Sequence, residues 1–241
     1  RAGDLYGIIN GVDYDQWNPA VDKFIPVKYT EKKIADKDKN KKYLQKKCGL
    51  PVTDAPMIGM IGRLASQKGF DLVSEMSNEI IRTGCQFVLL GAGEEKYHQI
   101  FKEIARKYPT QVSANIAFDN SLAHLITAGA DMFLMPSRYE PCGLNQLYAL
   151  KYGTIPIVHE TGGLADSIHN YTPEDLKAGT ASGFSFKNYS ASEMLSCIKS
   201  AVALYEDSKS WKQLMKNAMA QDFSWEHSSK EYIALYRKLM K

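Results

Sequence analysis

From Pro56 onward the chain repeats one pattern: a short apolar run, a polar or glycine-bearing loop, then a stretch with helical spacing. Residues 57–61 are apolar and strand-like, and residues 70–82 carry Phe70, Leu72, Val73, Met76, Ile80 and Ile81 on one helical face before Thr83-Gly84 stops them. The same succession recurs as 86–90 then 94–108, 111–118 then 121–128, 131–135 then 144–152, and 154–158 then 164–169. Five strand–helix units in series require a crossover between each pair of strands. Right-handed crossovers of that kind build a doubly wound parallel sheet, so the chain reads as α/β. No self-similarity at a fixed period appears, which excludes a solenoid.

The flanks are less regular. Residues 1–25 read as a connector, with one short strand at 6–9, turn signals at Asn10-Gly11 and Asn18-Pro19, and apolar groups (Ile8, Ile9, Val12, Trp17) that need a surface to pack on. A polar helix is expected over 40–47, ended by Gly49 and Pro51. The lysine-rich run that contains it interleaves acids and carries no aromatic ladder, so it reads as a solvated helix face and not as a nucleic-acid surface. Residues 171–183 read as a surface loop and 184–186 as a sixth short strand. Additional C-terminal helices follow at 191–205, 208–220 and 226–240, the last with Ser224 as its N-cap.

Among 241 residues of net charge +3, four scattered cysteines form no Cys-x-x-Cys pair, so neither a zinc site nor a disulfide framework is implied and a reducing compartment is expected. No apolar run reaches the length of a membrane span. The sequence begins with Arg1 and shows no signal peptide, and a piece of a longer protein is expected.

The residues suited to chemistry fall on loops after strands, which in open α/β sheets is the ligand-binding edge. Glu140 lies between Pro136 and Pro141, both of which interrupt regular structure, and just before a helix. Arg63 and Lys68 sit five residues apart after the first strand. A guanidinium fork and an ammonium both suit phosphate oxygens, although two exposed surface cations would look the same. Thr161-Gly162-Gly163 precedes a helix, where two glycines allow backbone N–H groups to face an anion; a tight turn is the plain alternative. Gly91-Ala92-Gly93 lacks the downstream acid of a dinucleotide fingerprint and does not read as an NAD site. No second acid stands near Glu140 to form a hydrolase pair. Cys142 has no histidine near it in sequence and reads as a packed residue. His124 and His169 read as structural or surface groups, whereas His159 is placed to reach a phosphate.

Together these motifs resemble the bacterial glycogen synthase and plant starch synthase family. The resemblance rests on Gly-Ile-Ile-Asn-Gly-Val-Asp with Trp-Asn-Pro at 7–19, Gly-Arg-Leu-Ala-Ser-Gln-Lys-Gly at 62–69, Leu-Leu-Gly-Ala-Gly at 89–93 and Pro-Ser-Arg-Tyr-Glu-Pro-Cys-Gly-Leu at 136–144. Lys-Tyr-Gly-Thr-Ile-Pro at 151–156, Thr-Gly-Gly-Leu at 161–164 and Asp-Phe-Ser-Trp at 222–225 complete it. It implies a retaining glucosyltransferase with a two-domain GT-B fold, of which this is the Rossmann-like C-terminal half. The implied division is a linker over 1–25, a nucleotide-sugar-binding domain over 26–222, and a helix over 223–241 that crosses back to the N-terminal domain. Arg63 and Lys68 would hold the donor diphosphate and Glu140 the donor glucose. The backbones of Cys142, Gly143 and Leu144, with Thr161, Gly162 and Gly163, would cradle sugar and phosphate, and Phe118 would face the adenine. The donor implied is ADP-glucose, the product ADP and the acceptor an α-glucan, with no metal, no cofactor, no nucleic acid and no membrane involved. The cytoplasm is the implied location, or a plastid for a plant or alga. The isolated half is expected to be inactive or nearly so. His159-Glu160 stands where the family often has basic residues, Asn145 where Thr or Ser is common, and Tyr148 where the wider family has a second acid. UDP-glucose as donor, or a non-catalytic nucleotide-binding module, stays open as an alternative.

Overall fold

A computed structural model describes residues 4–240. Six strands, β1 (Met57–Ile61), β2 (Gln86–Leu90), β3 (Val112–Asn115), β4 (Met132–Met135), β5 (Ile155–His159) and β6 (Phe184–Phe186), form one sheet in the order β3-β2-β1-β4-β5-β6. Every pairing is parallel. The central strands are buried and apolar apart from Gln86 and His159 at strand ends, because helices cover both faces. Strand order reverses between β1 and β4, so the crevice beyond their carboxyl ends is the switch point of the sheet. The loops carrying Lys68 and Glu140 both open onto it.

The helices are α1 (Lys37–Lys47), α2 (Phe70–Glu75), α3 (Ser77–Arg82), α4 (Glu95–Lys107), α5 (Asn120–Gly129), α6 (Asn145–Lys151), α7 (Gly162–Ser167), α8 (Pro173–Ala178), α9 (Ala191–Glu206), α10 (Ser208–Ala220) and α11 (Trp225–Leu239). Three elements differ from the sequence pattern. The single helix over 70–82 is two, broken at Met76 (φ −100°, ψ 15°). Just before the break the Ser74 hydroxyl donates to Asp71 O at 2.8 Å, a back-bond of the kind that bends helices. The loop over 171–183 contains α8, with Thr172 as N-cap, Pro173 in the first turn and Gly179 ending it at φ +81°. Residues 6–9 form no strand. Instead Val12 makes a parallel bridge to Ser224, and its N–H donates to Phe223 O at 2.7 Å, tying the N-terminal segment to the start of α11.

The lysine-rich helix is not simply a solvated face. Lys37, Lys41 and Leu44 fall on one side of α1 and all three are buried. Lys37 Nζ donates to Ala128 O (2.7 Å) and Thr154 Oγ1 (2.6 Å), and Lys41 Nζ meets Asp131 Oδ2 (2.7 Å) and Tyr205 OH (2.9 Å). These amines meet carbonyl, hydroxyl and carboxylate oxygens at the amino-terminal edge of the sheet, so the buried ammonium groups there are hydrogen-bonded. Composition could not separate them from the exposed lysines because both sit in the same charged run.

The N-terminal segment is docked just as firmly. The Trp17 ring is stacked between His124 on α5 (centroids 3.7 Å apart) and Tyr148 on α6 (3.9 Å). Asp22 Oδ2 receives His124 Nδ1 at 2.8 Å and the Tyr152 hydroxyl at 2.6 Å. Burial opposes ionisation of Asp22, but the bonds from His124, Tyr152 and the Phe24 amide outweigh it and hold the carboxyl below its ordinary value.

Burial pushes the Lys37 ammonium down to about 7 from an ordinary 10.5, against the opposing pull of Asp131. Between those two values the unfolded chain binds the proton that the folded chain has released, so this group makes stability rise with pH. Lys37→Met removes that contribution. Urea denaturation from pH 7 to pH 10 should show the wild type gaining on the variant by at most about 1.4 kcal/mol per pH unit. Parallel pH profiles for the two proteins would contradict it.

Candidate active site

The crevice at the switch point has an apolar slot and a charged corner. The slot is a cavity of about 260 Å³ between the ends of β1, β2 and β3, lined by Ile61, Arg63, Leu90, Gly91, Phe118 and Asn120 among others. Phe118 stands at its rim, 99% exposed. Asp119 caps α5 beneath it by accepting the Leu122 N–H at 2.9 Å.

Beside the slot lies the charged corner. Lys68 Nζ meets Glu140 Oε2 at 2.5 Å, joining residues 72 apart in sequence. Glu140 is 8% exposed, and the same oxygen accepts from the Ser137 hydroxyl at 3.2 Å. Among the described residues its other oxygen, Oε1, accepts no hydrogen bond. Arg63 Nη2 donates to Gln67 Oε1 at 3.0 Å, and Gln67 Nε2 reaches Tyr139 O at 3.3 Å. Arg63 therefore borders the slot while sharing a loop with Lys68.

Glycines permit this closeness. Gly69 sits at φ +80°, and a Cβ there would lie 2.1 Å from Pro136 O, so only glycine lets the Lys68 loop press against the Glu140 loop. Gly162 has φ +47° and would place a Cβ 2.2 Å from Glu140 O; Gly163 would place one 2.3 Å from Cys142 O. The Gly163 N–H donates to Glu140 O at 3.1 Å, so that donor is already engaged. The glycine pair is thus required for loop-to-loop packing, a reason distinct from the anion contact its sequence suggests. Gly91 and Gly93 do the same against Gly62 and Leu64, with the Leu64 N–H donating to Ala92 O at 3.0 Å.

The structure brings Arg63, Lys68, Glu140, Cys142, Gly143, Thr161, Gly162 and Gly163 onto one edge of the sheet, with Phe118 across the slot. Leu144 is partly exposed at the mouth of α6, and Asn145 Nδ2 ties that mouth to β1 by donating to Ile61 O at 3.0 Å. His159 is corrected: it is buried, and its ring nitrogens face Ser137 O (2.7 Å) and Lys187 O (3.2 Å), so neither is free for a phosphate. Cys142 is a free thiol, and its carbonyl accepts from Gln146 Nε2. Among the described residues no group of three or more His, Cys, Asp or Glu side chains is arranged to hold a metal ion, and no helix is long and apolar enough to cross a membrane. Gln67 and Ser137, which sequence reasoning passed over, join the site through these bonds. Their only sequence signal is adjacency to Lys68 and Glu140.

Residues 41–218 match the model of the family described as glycosyl transferases group 1. The chain is 49% identical over 236 residues to a glycogen synthase of Kosmotoga olearia and 51% identical over 242 residues to one of Thermosipho africanus. These alignments cover 98% and 100% of this chain but 49% of each relative, so the chain spans about half the length of the curated relatives it matches. The catalytic domain of starch synthase IV from Arabidopsis thaliana, solved bound to ADP and acarbose, superposes with a TM-score of 0.91 at 34% identity, covering 98% of this chain and 49% of that one.

Removing one partner of a buried ion pair strands the other; fully buried cases cost about 3–5 kcal/mol. Lys68 is 27% exposed, so Lys68→Ala should cost roughly 1–2 kcal/mol. The double variant Lys68→Ala/Glu140→Gln, which strands no charge, should recover most of that loss in urea denaturation. A double variant no more stable than Lys68→Ala would refute the pairing.

Proposed function

This chain belongs to the group 1 glycosyl transferases, and from that premise we propose that it is the donor-binding half of a glycogen-synthase-type glucosyltransferase. The complete protein would transfer glucose from ADP-glucose to the 4-hydroxyl at the non-reducing end of an α-1,4-glucan, retaining the α configuration. One observation carries this reading: the Lys68–Glu140 contact, which sets a cation and a carboxylate 2.5 Å apart beside a slot rimmed by an exposed aromatic ring. A nucleoside diphosphate sugar offers a flat base, two phosphates and a hydroxyl-rich ring, and the crevice has a group suited to each.

In this reading the base lies against Phe118 in the apolar slot, and the diphosphate lies along Arg63 and Lys68. Glu140 Oε1 takes a glucose hydroxyl, and the backbone of 142–144 with Thr161, Gly162 and Gly163 closes around sugar and phosphate. Breaking the glycosidic bond to the nucleotide develops negative charge on the leaving diphosphate. Cations fixed at that point stabilise the charge more as it grows, and this difference between ground and transition state raises the rate. Glu140 then orients the sugar and is not the proton acceptor. Starch synthase IV bound to ADP, at 34% identity over nearly the whole chain, supports adenine as the base.

We assign residues 1–25 as linker, 26–222 as the nucleotide-sugar domain and 223–241 as a crossing helix. Trp225, Ile233, Tyr236 and Leu239 of α11 are exposed apolar groups, and Tyr6 contacts Lys238 alongside them. The N-terminal half of the complete protein is the proposed cover for this face. The glucan acceptor would enter between the halves, and a water-excluding cleft requires both.

Calorimetric titration of this chain should show ADP and ADP-glucose binding at least tenfold tighter than UDP. Equal affinity for ADP and UDP would remove the adenine assignment. In the two-domain protein Lys68→Ala should lower kcat by about 100-fold, the scale of losing one preorganised electrostatic group. Turnover within threefold of wild type would sink the phosphate role.

A further inference from the structure

The two loops that meet at Lys68 and Glu140 are also joined by a side chain that belongs to neither. Tyr189 follows β6 at the far edge of the sheet, some 50 residues beyond Glu140 in sequence. Its hydroxyl donates to Asp71 Oδ1 at 2.6 Å and rests 3.2 Å from Ser66 O. The other carboxylate oxygen of Asp71 receives Arg138 Nη2 at 3.2 Å, and the Arg138 guanidinium lies 4.2 Å over the Tyr189 ring. The Arg138 N–H in turn donates to Gln67 O at 2.8 Å. Asp71 is three residues after Lys68 and Arg138 two before Glu140, so Tyr189, Asp71 and Arg138 form a closed brace across the base of both loops. The segment is fixed from below as well: His159 sits between Ser137 O and Lys187 O and packs edge-on against the Tyr189 ring, with centroids 5.4 Å apart.

A lysine ammonium on a four-carbon stem is placed only as well as its backbone is held. The short turn over Ser66–Lys68 has no side-chain cap, and Gly69 follows it in the left-handed region, so local structure alone holds it weakly. Contacts from outside the turn fix its base: the Tyr97 hydroxyl meets Ser66 Oγ at 2.7 Å, the Arg138 N–H holds Gln67 O, and Tyr189 reaches Ser66 O directly and Asp71 at the start of α2. The aromatic face of Tyr189 carries Arg138, while its hydroxyl carries the Asp71 bond, and the two functions are separable by mutation.

We propose that Tyr189 is a positioning residue for the diphosphate-binding cations, acting through Asp71 and Arg138 to set where Lys68 stands relative to Glu140. This rests on the reading of the crevice as a nucleoside-diphosphate sugar site. Tyr189 touches no part of the slot that would hold the base, so its influence is confined to ligands that carry phosphate.

The test is Tyr189→Phe in this chain, which keeps the ring under Arg138 and removes only the hydroxyl. Affinities for ADP and for adenosine are measured by calorimetry. ADP binding should weaken about tenfold, near 1.4 kcal/mol, while adenosine binding stays within twofold of wild type. Asp71→Asn should give the same pattern, and it carries the test should the phenylalanine variant not fold. Unchanged ADP affinity, or equal loss for ADP and adenosine, would overturn the positioning role. A wild-type chain that binds neither ligand would overturn the nucleotide reading instead, and this role with it.

Discussion

The contact between Lys68 and Glu140 is the interaction on which the crevice depends. It joins the loops after β1 and β4, the two strands between which the sheet reverses its order. A buried carboxylate costs several kcal/mol unless it is paired, so Glu140 holds the Lys68 loop inward as much as Lys68 holds Glu140. The pairing is possible because three glycines remove the atoms that would keep the loops apart. Gly69 lies under Pro136, and Gly162 and Gly163 lie against Glu140 and Cys142. The glycines therefore act one step before any ligand arrives, by letting three loops share one corner.

Polar groups are buried at both edges of the sheet, and they serve different ends. At the amino-terminal edge Lys37, Lys41, Asp131 and Thr154 bond one another or backbone oxygens, which locks α1 onto α5 and the start of β5. At the carboxyl-terminal edge Glu140 keeps one oxygen unengaged among the described residues, and Arg63 is exposed. An unengaged carboxylate oxygen beside an exposed guanidinium is what a ligand site requires, and its placement here follows from strand direction. The stacked Trp17 and the Asp22–His124 pair hold the N-terminal segment on α5 and α6, the helices that flank the slot and the charged corner.

Much of the fold was legible in the sequence because it rests on periodicity. The apolar runs at 57–61, 86–90 and 131–135 read as buried strands by their length and their alternation with helical stretches, and Ser224 before a helical stretch could be read as a cap. Element ends were less legible where short-range bonds decide them, as at Ser74 and at Thr172 before Pro173. Arg63, Lys68 and Glu140 stood out only as a set, because charged residues on separate loops after strands fall on one edge of the sheet, while each alone looks like a surface residue. Tyr189, Asp71 and Arg138 did not, because nothing local distinguishes a tyrosine after a three-residue strand from any surface tyrosine; its role exists only once β6 lies at the sheet edge. Lys37 and Lys41 were hidden among lysines that differ from them only in which side of α1 they occupy. His159 misled for a related reason. Its position before Thr161-Gly162 suggested a phosphate contact, but burial turned both nitrogens toward carbonyl oxygens.

We propose that Lys68 and Glu140 form one corner shared by a diphosphate and a sugar. A crystal structure of this chain grown with ADP-glucose tests it directly. The expected result is a phosphate oxygen within hydrogen-bond distance of Lys68 Nζ, a glucose hydroxyl on Glu140, and the adenine against Phe118. A nucleotide bound elsewhere, or one seated in the slot with neither phosphate nor glucose touching that pair, would contradict it.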